Sequence, residues 1–350
     1  MLDYIVVGLG LAGVAFCEIL EENNKKFVVF NDQSQTSSRI AGGLSNPVIL
    51  KRFTLAWKAD ELIPESNMFY SKLEHKLQKK FLQDLEIYRR FFSVEEQNSW
   101  FEASDKKQLK PFLDPQLVRN YNYQLAAPYN FGSVLQAKKL DTENLLSAYT
   151  NYLIKKDLLQ AQKFDYNKLI FHNSYLSYRG VQAKKIVFAE GFGLKKNPFF
   201  NYLPLQGSKG EYITIRAPLL KAQHAIKSSM FIIPLGNDKY KVGATYNNND
   251  FTNTPTIPAK EQILKKLDEV LLCPYEEVAH VAGVRPTVKD RRPLIGKHPN
   301  HEQLLILNGF GSHGVMIAPW AANQLYNHIE NNSPISIDAD IARFESMKTI

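Results

Sequence analysis

The junction of a four-residue apolar run, Tyr4-Ile-Val-Val7, with Gly8-Leu-Gly10-Leu-Ala-Gly13 constrains this chain more than any other feature. A short continuous apolar run is the pattern of a strand buried on both faces of a parallel sheet. The G-x-G-x-x-G behind it, and the helical periodicity from there to Glu22, predict the strand, tight turn and helix of a Rossmann-like unit. Gly8 allows the turn, Gly10 lets the backbone approach a pyrophosphate, and Gly13 lets helix and strand pack closely. Leu11 and Ala12 open the helix, whose N-terminus offers N–H donors and the positive end of its dipole to an anion. A second apolar run, Phe27-Val-Val-Phe30, ends at Asn31-Asp32. An acid here is expected to accept hydrogen bonds from ribose hydroxyls, and Asp32 is the stronger choice of the two. Strand, glycines, helix, strand and acid in that order specify a dinucleotide site.

After the acid, Ser37, Ser38 and Arg39 precede Ala41-Gly42-Gly43-Leu44, a loop suited to following a cofactor with its backbone. From Lys51 to about Phe92, apolar residues at three- and four-residue spacing (Phe69, Leu73, Leu77, Phe81, Leu85) predict helix with a solvated Glu/Lys face. Gly132 to Thr142 reads as strand, turn and N-cap, with Asp141 or Thr142 capping a helix that runs to Lys155. Lys185-Ile-Val-Phe-Ala189-Glu-Gly191 reads as a return to the parallel sheet. Two alternating runs, Ile226–Ile233 and Lys239–Tyr246, predict an antiparallel hairpin in a second domain. Gly283-Val-Arg285-Pro286 then precedes a second strand–glycine–helix unit: Leu304–Leu307, Asn308–Gly314, and a helix from Val315 to about Glu330.

Length and composition set the frame around these motifs. At 350 residues the chain has room for two domains, or one with a large insertion. It has no apolar run long enough for a membrane span, and a strand pattern begins almost at Met1, leaving no room for a signal peptide. Two cysteines far apart, Cys17 and Cys273, suggest no disulfide framework, which points to a reducing cytoplasm. Cys17 lies within the first helix as a small core residue. The net charge of +8 comes from scattered lysines, with pairs such as Lys25-Lys26 the longest clusters. No His/Cys/Asp cluster has metal-ligand spacing.

Taken in order, the motifs from Gly8 to Pro319 resemble the D-amino-acid oxidase and glycine oxidase superfamily of FAD enzymes. The resemblance implies an α/β architecture: a discontinuous FAD-binding domain (1–50, 132–204, 281–350) and a second, antiparallel-sheet substrate domain (51–131, 205–280). It implies non-covalent FAD, since the flavin-attaching cysteine of the sarcosine oxidases follows the Arg285 region whereas Cys273 precedes it. Ser37, Ser38, Arg39 and the backbone of Ala41, Gly42, Gly43 and Leu44 would pass the pyrophosphate and the flavin edge, with Ala189 and Gly191 beside them. Gly311, Ser312, His313, Gly314, Val315 and Met316 would wrap the pyrimidine side of the ring, under the positive end of the last helix.

In the family, the arginine matching Arg285 pairs bidentately with a substrate carboxylate. With Phe231 and Tyr246 it makes the expected substrate set, and His313 lines the pocket without serving as an essential acid. The implied reaction is oxidation of a C–N bond by hydride transfer to flavin N5, giving an imine that hydrolyses, with oxygen as acceptor. Glycine oxidases often carry a further Arg where this chain has Ser312 or His313, and a Tyr where it has Phe231, so a simple free amino acid fits less well. Gly283 to Gly296 is also similar to the oxidase domain of the bifunctional tRNA 5-methylaminomethyl-2-thiouridine biosynthesis protein. A carboxymethylaminomethyl-modified tRNA uridine is therefore an alternative substrate, with a dehydrogenase using a protein acceptor as a third reading.

Overall fold

The computed structural model describes residues 1–349, and the side chains of residues 1–345. The elements that position the site are, in chain order, β1 (Leu2–Val7), α1 (Leu11–Glu22), β2 (Phe27–Phe30), α2 (Ser37–Ile40), α3 (Ala59–Leu77), β3 (Ile87–Arg90), β4 (Phe131–Val134), α4 (Thr142–Lys155), β5 (Leu159–Gln160) and β6 (Val181–Phe188). They continue with β7 (Leu205–Arg216), β8 (Ala225–Lys227), β9 (Phe231–Gly236), β10 (Lys239–Gly243), α5 (Ile257–Asp268), β11 (Glu276–Val288), β12 (Leu294–His298), β13 (His301–Asn308) and α6 (Gly314–Asn331).

The first sheet runs β5-β2-β1-β6-β13 in parallel, with β12 antiparallel outside β13. It is apolar on both faces, as a sheet covered on both sides must be. Tyr4 and Val6 of β1 join the core under α1 and α6, whereas Ile5 and Val7 join the cluster on the other side. The glycine turn is sterically determined: Gly8 has φ +95°, and a Cβ on it would lie 2.4 Å from the Ala189 carbonyl oxygen. A Cβ on Gly13 would lie 2.1 Å from the Gly8 carbonyl oxygen, so only glycine lets α1 pack this closely on the turn.

The second sheet runs β11-β7-β10-β9-β8-β3-β4 and ends on Leu113–Val118. Its pairs are antiparallel apart from β8 with β3. The expected hairpin is present in part as β9 and β10, joined by Asn237 and Asp238, both left-handed at φ 51° and 58°, the geometry of a tight two-residue turn. Its first run, Ile226–Ile233, is divided between the antiparallel β8 and β9, and its second ends at Gly243, short of Tyr246. Strand alternation gives the sheet two unlike faces. Ile213 and Ile215 of β7, Val242 of β10, Ile232 of β9 and Ile226 of β8 pack with Ile263 and Leu267 of α5. The opposite parity supplies Gly210, Tyr212, Phe231, Ile233 and Lys227, which line a cleft shared with the first sheet. No helix among the described residues is long and apolar enough to cross a membrane.

Three expectations need correction or refinement. The helix expected from Lys51 to Phe92 is confined to α3, and Phe81 and Leu85 lie beyond it. Gln78 adopts a left-handed C-cap at φ 52°, and the Glu74 carboxylate accepts the N–H groups of Phe81 and Leu82 at 2.6 and 2.8 Å, which turns the chain into strand. The stretch Ser37–Ile40, expected as loop, is a single helical turn. The divisions expected at 132 and 281 fall inside β4 and β11, both strands of the second sheet. The helix capped by Asp141, which accepts from Asn144 N–H at 3.2 Å, is present as α4.

Candidate active site

The two sheets enclose a cleft of about 2400 Å³. Ordinary small-molecule pockets hold about 300–1,000 Å³, so this one has room for a dinucleotide and a further ligand. Two helices point their N-termini into it. Neither Gly10 before α1 nor His313 before α6 caps its helix with a side chain, and neither first turn contains an acid. The first N–H groups of a helix lack intrahelical partners, so both ends present donors and positive dipole charge to an anionic or electron-rich ligand. Ser38 is brought against the glycine turn: its Oγ accepts from Leu11 N–H at 3.4 Å and lies 3.1 Å from where a Cβ on Gly10 would stand. These features fit a diphosphate-bearing dinucleotide: an open glycine turn, an uncapped helix end and a hydroxyl beside it.

Most residues expected at the cofactor do line this cleft. The exceptions are Gly13, buried under the Gly8 turn, and Met316, 1% exposed in the core. Asn31 and Asp32 follow β2 at one end, where the exposed Asp32 carboxylate accepts from Ser34 N–H at 3.0 Å. Ala189 and Gly191 follow β6 beside them. Ala41 to Leu44 leave α2 and pass under the second sheet, where a Cβ on Gly42 would meet the Ile233 side chain at 2.7 Å. Gly311 N–H donates to Pro286 O at 3.0 Å, tying the glycine loop before α6 to the residue after Arg285. Burial, and secondarily the charge of Arg291, push the His313 imidazole below its ordinary pKa, which keeps it neutral near pH 7.

Arg285 stands on β11 at the cleft wall. Its guanidinium lies over Gly210 of β7, where a Cβ would fall 2.0 Å from Nη2. It stacks 4.7 Å from the centre of the Tyr246 ring. Only Nη1 is engaged, by the carbonyls of Ser208 and Thr245 at 3.5 and 3.4 Å, and among the described residues no carboxylate is within ion-pair distance. Tyr246 is exposed at the rim, and Phe231 stands on β9 further along the same face. The structure therefore joins Arg285 to Tyr246 and leaves Phe231 as separate wall.

Four residues absent from the sequence expectations matter here. Glu190 is buried, bonded by Tyr166 Oη at 2.5 Å and Asn197 Nδ2 at 2.8 Å, and burial raises its carboxyl to about 7. Lys241 donates to the carbonyls of Ile40 and Ala41, each at 3.2 Å, so a sheet lysine holds the end of α2 just before the glycine loop. Tyr212 and Lys227 line the cleft from β7 and β8. The period-two alternation of their strands was the available signal, but it does not say which face a cofactor covers.

A Rossmann-type parallel sheet that opens, across one cleft, onto a second sheet whose wall holds an arginine with no carboxylate partner among the described residues is the architecture of a dinucleotide-binding enzyme. The chain belongs to the DAO family of FAD-dependent oxidoreductases, which it matches over residues 3–327, and FAD is its cofactor. It is 30% identical over 169 residues to a glycine oxidase of Bacillus subtilis (strain 168), covering 45% of this chain and 44% of that protein. It is 24% identical over 181 residues to the tRNA 5-methylaminomethyl-2-thiouridine biosynthesis bifunctional protein of Azoarcus sp. (strain BH72), covering 46% of this chain and 28% of that one. The matches thus span less than half the length of these curated relatives. The crystal structure of glycine oxidase from Geobacillus kaustophilus superposes with TM-score 0.81 at 18% identity, over 98% of this chain and 97% of that one, a likeness of fold.

Proposed function

We propose that this protein oxidises the C–N bond of an amino acid or N-substituted glycine, and that Arg285 holds the substrate carboxylate. The observation that carries this reading is the guanidinium lying over Gly210 without a protein carboxylate. A planar fork with free N–H groups in a partly desolvated wall suits a bidentate carboxylate. Bound FAD would supply a two-electron acceptor for the hydride lost from the carbon beside the nitrogen. The chain's own work is to bind and align. Arg285 fixes the acid end, and the Tyr246 ring covers one face of the guanidinium. The second sheet shields the reacting carbon from water, and the uncapped N-terminus of α6 offers positive potential to negative charge developing in the cleft. The neutral His313 takes no proton in this scheme. The buried positions of Cys17 and Cys273, neither of which lines the cleft, support non-covalent attachment.

Arg285→Ala tests the reading directly. It should leave the flavin spectrum intact and lower the second-order rate of anaerobic flavin reduction by about a hundredfold, the scale of a lost charged pair in a shielded site. Loss of FAD or of folding instead makes Arg285 structural and removes the reading. A second reading, with the amine carried on a modified tRNA uridine, draws on the cationic cleft wall. Gel-shift titration with tRNA at two ionic strengths decides it, since no binding at low salt removes it. Stopped-flow reoxidation separates an oxidase from a dehydrogenase with a protein acceptor, because fast reaction with oxygen marks the oxidase.

A further inference from the structure

The face of the second sheet that bears Arg285 carries other cations at its far end. Lys227 of β8 is the direct register partner of Arg89 on β3, and both line the cleft. The two are in different electrostatic situations. Arg89 is buried, ion-paired to Glu96, and bonded through Nη1 to the carbonyls of Lys227 and Ser228 at 3.3 and 3.0 Å. The half-buried Lys227 ammonium has only the Ser229 carbonyl at 3.2 Å and the Phe231 ring, 5.0 Å from its centre. No carboxylate among the described residues is within ion-pair distance of it. Burial, then repulsion from Arg89 and Lys266, pulls it down to about 8. Lys51 and Arg52, exposed in the turn between Val48–Ile49 and Thr54–Leu55, line the same cleft and are likewise without an acidic partner among the described residues.

The acids of the cleft lie elsewhere. Asp32 and Glu190 sit at the nucleotide end, and Asp165 adjoins the Tyr166 that bonds Glu190. Asp290 is paired with Arg343. A desolvated cation without a counter-ion is unfavourable, and an incoming anion relieves it.

We propose that Lys227 binds a second anionic group carried on the substrate nitrogen, so that the substrate class is an N-carboxyalkyl amino acid. This rests on the reading of Arg285 as the site of the first carboxylate. The spacing supports it. The Arg285 guanidinium lies over Gly210 of β7, and the Lys227 ammonium lies by Phe231 of β9. Gly243 of β10 pairs with both Tyr212 and Phe231, so the cations are two strands apart across the sheet and two residues apart along it. With about 4.8 Å per strand and 3.4 Å per residue, their separation is roughly 12 Å. Allowing about 3–3.5 Å from each cation to its carboxylate carbon leaves roughly 5–6 Å between the two acids. That is the span of a glycine whose nitrogen bears a carboxymethyl or carboxyethyl group.

The test uses the FAD-loaded enzyme and two unreactive probes. One is carboxymethylthiopropanoate, in which a thioether replaces the amine; the other is its counterpart with a propanamide tail. Each dissociation constant is read from perturbation of the flavin visible band. The acid-tailed probe should bind about tenfold more tightly than the amide-tailed one, the scale of one half-buried charged hydrogen bond. Lys227→Met should abolish that preference by weakening only the acid-tailed probe, and Lys227→Arg should restore it. Arg285→Ala should weaken both probes alike. Equal affinity of the two probes for the unmodified enzyme, or a preference that survives Lys227→Met, overturns the tail site while leaving the Arg285 reading intact. If Arg285→Ala affects neither probe, or neither probe binds at millimolar concentration, the underlying reading fails and this one with it.

Discussion

Gly210→Ala displaces Arg285 without changing it, and so separates the position of the guanidinium from its presence. The added Cβ would stand 2.0 Å from Nη2 and 2.3 Å from both Cζ and Nη1, where ordinary contact begins at 3.4 Å. The nearest atom must therefore retreat by 3.4 − 2.0 = 1.4 Å. The two carbonyl contacts of Nη1, at 3.4 and 3.5 Å, are already near the limit of hydrogen bonding and do not survive such a shift. The obstacle is the far end of a flexible side chain, and Gly210 has no left-handed φ, so the strand tolerates alanine. Alanine in a strand interior even gains about 0.5–1 kcal/mol over glycine. The melting temperature and FAD content should hold, while carboxylate affinity falls, because a misplacement of about 1 Å in such a site costs about a hundredfold. The assay is titration of the holoenzyme with methylthioacetate, followed in the flavin visible band, beside anaerobic reduction by an N-substituted glycine. Unchanged affinity and rate would show that the guanidinium does not bind ligand from its place over Gly210. Loss of FAD would show that Gly210 serves the cofactor.

Two further perturbations probe the cofactor end. Lys241→Met leaves the Ile40 and Ala41 carbonyls without their donor, a loss of about 1–3 kcal/mol at the loop, so FAD affinity should fall about ten- to a hundredfold in a fluorescence titration, with Lys241→Arg close to the parent. Equal retention of FAD by the Met variant would mean that the loop holds itself. Glu190 has its carboxyl raised to about 7 from an ordinary 4.5, so the fold favours the protonated form. Its contribution is full below about pH 4.5 and is lost as pH rises through 7, a linkage of about 3 kcal/mol. Glu190→Gln should therefore raise the melting temperature at pH 8 and leave it nearly unchanged at pH 4.5; a gain of the same size at both values would refute this account.

The sequence determined the parts of this protein that local rules govern. The turn at Gly8 and Gly13 is written in residues because a Cβ at either place would overlap backbone a few residues away or on the neighbouring strand. The α4 helix was legible from its Asp141 cap, and β9–β10 from alternation interrupted by turn residues. Where the helical spacing continued past its helix, at Phe81 and Leu85, the pattern was real but its backbone was not, because the Glu74 carboxylate capped the chain into another course. Only the tertiary structure decided which face of the second sheet meets the cleft. Period-two alternation marks two faces without ranking them, and the face packed on α5 is fixed by contacts between residues about twenty to fifty positions apart. The same pairing laid Arg285 over Gly210, set Lys227 at the far end of that face and placed Lys241 under α2. Each of these placements depends on strand register across non-consecutive segments, which no local run of residues encodes.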